Sequence, residues 1–339
     1  MKLISFLVEF YKNTGHNNIF LTALPAIYGI ISGLNIFTFN FKYAILICLA
    51  CIIMQLCAQF LDDYLDWIFA KTLKRLELEQ TGVRGLYTKC NYFLENKNLP
   101  KLYFYIAIFL FIIAISIFIY VSIVSKNYRI LFFLIPLPIF LLINYFPKCI
   151  NLLRAIGTEF LCASLCSFLT MICVFYASTN CIITSVIYIA LTFLFFTYNI
   201  LYTASVLNLK CDILTEKNTL PVILKHENLI FIYSILLTLI PFILIPFGVY
   251  LKILPKFSLI SELLIFHSIW FLYLIYLYIK QPQKITKWHF LLGYNENGID
   301  NEHKNIEWYT IRCNLIKNIY TTYSFILILV SIDWKNLFI

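Results

Sequence analysis

Charged residues are scarce in this sequence of 339 residues, where they make up 13% of the chain. Soluble domains carry about 25% charged residues, so a water-soluble enzyme is excluded. Glycine (9 residues) and proline (10 residues) are also few, and there is no Gly-X-Y period or long polar tract, which excludes collagen-like and disordered chains. Hydrophobic residues make up 61% of the chain, with a mean hydropathy of +0.84. We therefore expect one all-α, polytopic membrane domain over residues 1–339.

No cysteine or basic cluster suggests a soluble module. The 11 cysteines are scattered and lie mostly in apolar runs, so they predict neither a zinc site nor a disulfide framework. The net charge is +9, but no basic stretch is long enough to fold alone, which argues against nucleic acid as a partner. The lipid bilayer is the expected surrounding, in a multi-pass protein of the cell membrane, most simply the bacterial cytoplasmic membrane.

Apolar segments long enough to cross a bilayer recur along the chain. A spanning helix needs about 20 mainly apolar residues. Nine segments qualify approximately and predict a bundle that encloses a central cavity. They are 19–36, 43–61, 102–124, 130–146, 157–177, 182–206, 229–251, 258–279 and 319–334.

The positions of the basic residues predict the orientation. With nine spans, 20 of the 26 lysine and arginine residues fall in the N-terminal segment and in the loops after spans 2, 4, 6 and 8. The other six lie on the opposite side. Because positively charged loops stay cytoplasmic, the first set of loops is predicted to face the cytoplasm.

An acidic motif follows the second predicted span. Asp62, Asp63 and Asp66 lie where this apolar segment ends, and positions 63 and 66 share one face of a helix. Two carboxylates so placed repel each other unless a cation lies between them, and Mg²⁺ typically takes one or two carboxylates plus substrate phosphates. Lys71 and Arg84 are nearby candidates for neutralising phosphate. The alternative is a solvated acidic helix end with ordinary positive charge beside it.

A second polar motif follows the sixth predicted span. Asn208, Asp212 and Glu216 recur every four residues, so on a helix they form one stripe. Lys210 and Lys217 are candidates for phosphate contacts, or else ordinary cytoplasmic charge. Two oxygen-rich motifs on one side of the membrane raise the probability of a shared site for Mg²⁺ and a diphosphate.

Further polar residues lie between these motifs. Tyr145 and Lys148 end the fourth predicted span, Arg154 follows, and Glu159 opens the fifth. A carboxylate at the edge of an apolar run is costly and tends to face a cavity or a partner. The alternative for Glu159 is an interfacial ion pair with Arg154 or Lys148.

Taken together, the motifs resemble the UbiA superfamily of intramembrane prenyltransferases. The first motif of that family is NDxxDxxxD; Asp63 and Asp66 match it in register, whereas Asp62 replaces the Asn and Ala70 the last Asp. The second motif resembles DxxxD followed by Thr-Leu-Pro/Ala-Val, which residues 219–222 match. Counting back seven residues from Thr219 gives Asp212.

The second motif allows two registers. In the register set by Thr219, Asn208 replaces the first Asp, and Lys217 matches a lysine often found two positions before the Thr. The other register pairs Asp212 with Glu216, which keeps two carboxylates but breaks the family spacing.

Other segments are similar to one branch of the family. Tyr145 and Lys148 resemble the Tyr/Lys pair at the end of the fourth helix, and Gly157-Thr158-Glu159 resembles the GxGE of the dihydroxynaphthoate (MenA-like) branch. Residues 21–26 are similar to that branch as well. The resemblance implies nine helices and a magnesium-dependent polyprenyltransferase.

The implied substrates are a polyprenyl diphosphate and an aromatic quinone precursor such as 1,4-dihydroxy-2-naphthoate, as in menaquinone biosynthesis. The resemblance implies that Asp63, Asp66 and Asp212 hold Mg²⁺, and it makes Tyr145 and Glu159 candidates for activating the acceptor. Lys148, Arg154 and Lys217 are candidate diphosphate ligands. Tyr64, Tyr145, Tyr198 and Tyr202 are candidates for facing the allylic cation.

Two other functions compete with prenyl transfer. A multi-pass transporter predicts helices broken near the membrane midplane, and Pro136, Pro138, Pro241 and Pro246 allow such an interpretation. A non-catalytic homologue of the same superfamily is the second alternative.

Overall fold

The described part of the chain is helical, with short turns between the helices. The computed structural model describes residues 19–69, 99–136, 159–214, 219–280 and 304–332, and these contain no strand. Six helices there are long and apolar enough to cross a membrane. The prediction of an all-α, multi-pass membrane protein is thereby confirmed.

The helices are numbered in chain order. They are α1 (Phe20–Gly33), α2 (Phe41–Phe69), α3 (Leu99–Val124), α4 (Glu159–Thr179), α5 (Thr184–Leu207), α6 (Leu209–Leu214), α7 (Leu220–Leu224), α8 (Glu227–Tyr250), α9 (Ile265–Lys280) and α10 (Lys304–Ser331). There are also two 3₁₀ helices. The first, Tyr128–Leu134, lies just before residue 136, where this described range ends, and the second, Lys256–Leu264, precedes α9. The second runs directly into α9, so that Lys256–Lys280 is one of the six long apolar segments.

The count of nine spans is not reproduced in the described residues. The predicted spans 19–36 and 319–334 correspond to the shorter apolar helices Phe20–Gly33 and Leu315–Ser331. The first has 14 residues, about 21 Å of helix, which is less than the hydrocarbon thickness of about 30 Å. The predicted span 130–146 is described only to residue 136, where it is mostly 3₁₀ helix. Nine spans and a central cavity therefore stay predictions.

Helices α4 and α5 form the centre of the bundle. In their most apolar stretches 61% of residues are buried, against 33% in α2 and 28% in α3. The difference places α4 and α5 among other helices and leaves much of α2 and α3 for lipid. Aromatic rings join α5 to α10, where the ring centroids of Phe196 and Tyr323 are 4.5 Å apart.

Helix α1 approaches α4 closely at a glycine. A Cβ atom built on Gly29 would lie 2.8 Å from the carbonyl oxygen of Met171. Small residues at such contacts let membrane helices pack backbone against backbone. Gly29 therefore sets the distance between α1 and the centre of the bundle.

Helix α4 contains a π-helical segment at Ser164–Leu169. The hydroxyl of Thr170 donates a hydrogen bond of 2.9 Å to the carbonyl oxygen of Leu165, five residues earlier. Short π segments insert one residue into an α-helix and are frequent at functional sites. The π segment therefore rotates the residues at one end of α4 about the helix axis relative to those at the other end.

Candidate functional site

The second polar motif lies where α5 passes into α6. The N–H of Asn208 donates to the carbonyl oxygen of Ala204 at 3.2 Å, and the N–H of Asp212 donates to that of Asn208 at 2.9 Å. The helical path therefore continues across the junction, and the two side chains follow each other by one turn. Both are buried, with 5% and 2% of their surface exposed. The predicted stripe is thus found for its first two members.

The Asp212 carboxylate is joined to the start of α7. Thr219 precedes α7, and its hydroxyl donates a hydrogen bond of 3.2 Å to Asp212 Oδ2. Thr219 is itself 9% exposed, so the contact is buried. The spacing of seven residues between Asp212 and Thr219 was the basis for choosing the register of the second motif. In the structure it corresponds to a direct contact between the two side chains.

Glu159 begins α4 and contacts α5. The hydroxyl of Ser205 donates a short hydrogen bond to Glu159 Oε1. Ser205 lies three residues before Asn208, about one helical turn. Glu159 is thus held about one turn from the second motif, by a serine that the sequence analysis did not single out.

Helices α2 and α4 run antiparallel along their shared contact. Just before α2 begins, the hydroxyl of Thr38 donates to the carbonyl oxygen of Thr179, the last residue of α4, at 2.6 Å. Further along, the Cys166 thiol donates to Gln55 Oε1 at 2.6 Å. Residue numbers rise on α2 as they fall on α4, so the C-terminal end of α2 lies toward the N-terminal end of α4.

The acidic residues Asp62, Asp63 and Asp66 lie in the last turns of α2. This places the first motif at the end of the bundle where Glu159 begins α4 and where α5 ends near Asn208. We call this end of the bundle, formed by the C-terminal end of α2, the N-terminal end of α4 and the C-terminal end of α5, the motif end.

Several predicted residues lie outside the described part of the chain, or are described only in part. For Asp62, Asp63 and Asp66 the structure describes the helical backbone alone. Lys210 is exposed on α6. Seven predicted site residues lie outside the described ranges: Lys71, Arg84, Tyr145, Lys148, Arg154, Glu216 and Lys217.

The described side chains do not by themselves make a metal cage. Within the ranges described, no three His, Cys, Asp or Glu side chains are grouped so as to hold a metal ion. Asp212 with the amide of Asn208 offers oxygen ligands, the type that Mg²⁺ prefers. Mg²⁺ commonly takes its other ligands from substrate phosphates and water, so this donor set is compatible with it.

The predicted aromatic residues have partners within the bundle. The hydroxyls of Tyr198 and Tyr233 are 2.9 Å apart, and the Tyr202 hydroxyl donates to the carbonyl oxygen of Ile230 at 3.0 Å. These bonds join α5 to α8. The ring of Tyr64 lies 4.8 Å from that of Phe104, between α2 and α3.

Comparison with known proteins adds no assignment. No family model, no curated protein and no solved structure matches this chain. Function is therefore argued from the chemistry of the site itself.

Proposed function

We propose that this chain transfers a polyprenyl group from its diphosphate to an aromatic quinone precursor, within the bacterial cytoplasmic membrane and with Mg²⁺. The acceptor we favour is a hydroxynaphthoate such as 1,4-dihydroxy-2-naphthoate. The donor tail is insoluble in water, which is why the reaction belongs in a bilayer. The fold is the general type required, a multi-pass helical membrane protein.

The observation that carries the proposal is the buried group of Asn208, Asp212 and Thr219. An acidic side chain that is 2% exposed at the end of an apolar helix is costly, and such residues usually mark a functional site. Here the carboxylate contacts the hydroxyl that the prenyltransferase-like motif places seven residues later. An accidental surface acid would be neither buried nor held in this way.

The ends of the described helices also support a shared site. The backbone of the first motif, Glu159 and the second motif lie at the motif end, on three neighbouring helices. A diphosphate bound between two acidic motifs requires this arrangement, because both must reach the same phosphate oxygens. In the proposal, Asp63, Asp66 and Asp212 bind Mg²⁺ and Asn208 adds an amide oxygen.

Bound Mg²⁺ would offset the negative charge that builds on the departing diphosphate. Lys148, Arg154 and Lys217 are the proposed basic contacts to the phosphate oxygens. In the reaction the C–O bond of the donor breaks, and a C–C bond forms to the ring. The ring carbon then loses a proton, or carbon dioxide where it carried a carboxylate.

Glu159 is the described residue best placed to act on the acceptor. Its carboxylate already accepts a hydrogen bond from Ser205, within about one turn of Asn208. In the proposal, Glu159 or Tyr145 hydrogen-bonds a ring hydroxyl and so raises the electron density of the ring carbon. Tyr198 and Tyr202 contribute aromatic walls that exclude water from the allylic cation.

Transport is the less favoured alternative. A transporter of the broken-helix type requires interruption near the midplane, for which the sequence offers Pro136, Pro138, Pro241 and Pro246. Of these, Pro138 lies outside the described residues. Helix α8 is continuous from Glu227 to Tyr250 through Pro241 and Pro246.

The test is a transfer assay on membranes from cells that express the full chain. Polyprenyl diphosphates are supplied with a panel of hydroxylated aromatic acids, with and without Mg²⁺, and products are identified by mass. We expect a prenylated product with Mg²⁺ only. The variant Asp212→Asn should lack it, and Glu227→Gln is the matched control because Glu227 is a half-exposed acid paired with Lys280 at 2.9 Å.

Absence of product with every donor and acceptor, from membranes that contain the folded chain, refutes prenyl transfer and favours the non-catalytic alternative.

A further inference from the structure

The amide of Gln59 is buried without a hydrogen-bond partner. Among the described residues, its Oε1 and its Nε2 are both covered, and neither is hydrogen-bonded. No other described amide side chain has both atoms in this condition; Asn199, for example, donates to Thr238 at 3.0 Å. An amide unpaired inside a membrane helix costs free energy, because no water is available there.

The neighbouring positions show where this amide lies. Gln55 is one turn earlier on α2, and its Oε1 accepts the Cys166 thiol of α4, so this face of α2 is directed at α4. Gln59 shares that face, since residues four apart on a helix are neighbours. Position 63 of the first motif follows one turn later, about 6 Å along the axis. Gln59 therefore lies one turn inside the bundle from the motif end.

The α4 segment opposite contains the π helix, Ser164–Leu169. Glu159 begins α4 on the motif-end side of that segment and Cys166 lies within it. By the antiparallel register, Gln59 lies at a level between these two residues. This is where an aromatic ring would lie if its reacting carbon met a donor whose diphosphate is bound at the motif end.

The chemistry of a primary amide restricts what can pair with both of its atoms. The Oε1 atom needs a donor and the Nε2 group needs an acceptor. A diphosphate offers acceptors only, and a prenyl tail offers neither. A ring hydroxyl offers an O–H and an oxygen lone pair, so it can satisfy either atom, and two hydroxyls or a hydroxyl beside a carboxylate can satisfy both.

We infer that Gln59 also binds a ring hydroxyl of the aromatic acceptor, beside the contact proposed for Glu159 or Tyr145 and one turn inside the diphosphate site, an inference that rests on the proposed function. The side chain reaches the ligand by rotating about its own three χ angles. Because the amide is neutral, it orients the ring and selects hydroxylated acceptors without taking the proton. Gln55, whose oxygen is already paired, has no such role.

The test measures binding rather than turnover. The purified full chain in detergent is equilibrated by dialysis with 1-hydroxy-2-naphthoate and with 2-naphthoate, which differ only in the hydroxyl. Gln59→Met removes the amide and keeps the length of the side chain, and Gln59→Leu removes the same atoms in a second way. Gln55→Met is the matched control, one turn away on the same face.

We expect the wild-type chain to bind the hydroxylated probe about five- to tenfold more tightly, as one net hydrogen bond allows. The preference should fall below about twofold in both Gln59 variants and persist in Gln55→Met. Both Gln59 variants should melt at or above the wild-type temperature, since an unpaired amide has been removed.

The inference is overturned by a wild-type chain that binds neither probe or shows no preference. It is also overturned by Gln59 variants that keep the preference, or by a Gln55 variant that loses it equally. The transfer assay is read separately: a chain that shows the Gln59-dependent preference and yet transfers no prenyl group refutes the proposed function alone.

Discussion

Asp212 and Thr219 are joined by a buried hydrogen bond of 3.2 Å between the Asp212 carboxylate and the Thr219 hydroxyl. The bond ties the short helix α6 to Thr219, the residue that precedes α7. It holds the carboxylate beside Asn208 on the preceding turn, which is 5% exposed. Three side chains with oxygen ligands are thereby held together at the end of a membrane helix.

The first prediction concerns the register of this second motif. Asn208→Leu is expected to abolish prenyl transfer, because the buried amide one turn inside Asp212 is the position that the Thr219 contact selects. Glu216→Gln should keep most of the activity. The measurement is turnover in the Mg²⁺-dependent assay. The opposite ranking would mean that the second site uses Asp212 with Glu216, one turn further along the chain.

The second prediction concerns charge at the metal site. Substitution of Asp63, Asp66 or Asp212 by Asn should lower turnover by about a hundredfold or more. Each substitution removes a negatively charged ligand and keeps the shape of the side chain. Chelation with EDTA should have the same effect, reversed by added Mg²⁺. Thermal melting should change little. Full activity of Asp66→Asn, or transfer without any divalent ion, contradicts the assignment.

The third prediction concerns topology. Single cysteines at Lys97 and Asn297, in a background with the native cysteines replaced, should react with an impermeant reagent from the cytoplasmic side. A cysteine at Asn180 should react only from the other side, because it lies in the turn between α4 and α5, away from the motif end. The basis is the strong bias of basic residues toward one set of loops. Labelling of all three positions from one side would refute the nine-span arrangement.

The fourth prediction concerns the contact between α1 and α4. Gly29→Ala should lower the free energy of unfolding by about 1–3 kcal/mol, since the new methyl group would lie 2.8 Å from the backbone oxygen of Met171. Gly33→Ala is the control: its Cβ would meet the Phe39 ring at 2.8 Å, and a side chain can move aside. Thermal melting in detergent measures the stability of both variants. Equal losses of stability in the two would show that α1 adjusts as a whole.

The pattern of apolar residues was enough to predict the helices of the centre. The predicted spans 157–177 and 182–206 agree with α4 (Glu159–Thr179) and α5 (Thr184–Leu207) within two residues at each end. The reason is physical: in a bilayer each backbone polar group must be paired within the segment, so a long apolar run becomes a helix. The rule fails at α1, because the length of the apolar run did not predict where this helix ends.

The site was predictable only in part. The spacing of Asp212 and Thr219 predicted which residues belong together, and the structure brings their side chains into contact. The contact between Ser205 and Glu159 was not predictable, because serine is common in membrane helices and its partner lies 46 residues away. Nor does any local pattern distinguish Gln59, without a partner, from Gln55, whose partner is on α4.

The π segment of α4 allows the two ends of this helix to be altered independently. An α-helix advances by about 100° per residue, so one extra residue within Ser164–Leu169 rotates everything on one side of it relative to the other. The part that packs on α1 can keep its orientation while Glu159 takes another direction. Loss or gain of a single residue here would redirect Glu159 away from Ser205 without disturbing Gly29. An insertion or deletion at this point would thus reshape the motif end while the close contact of α4 with α1 at Gly29 is kept.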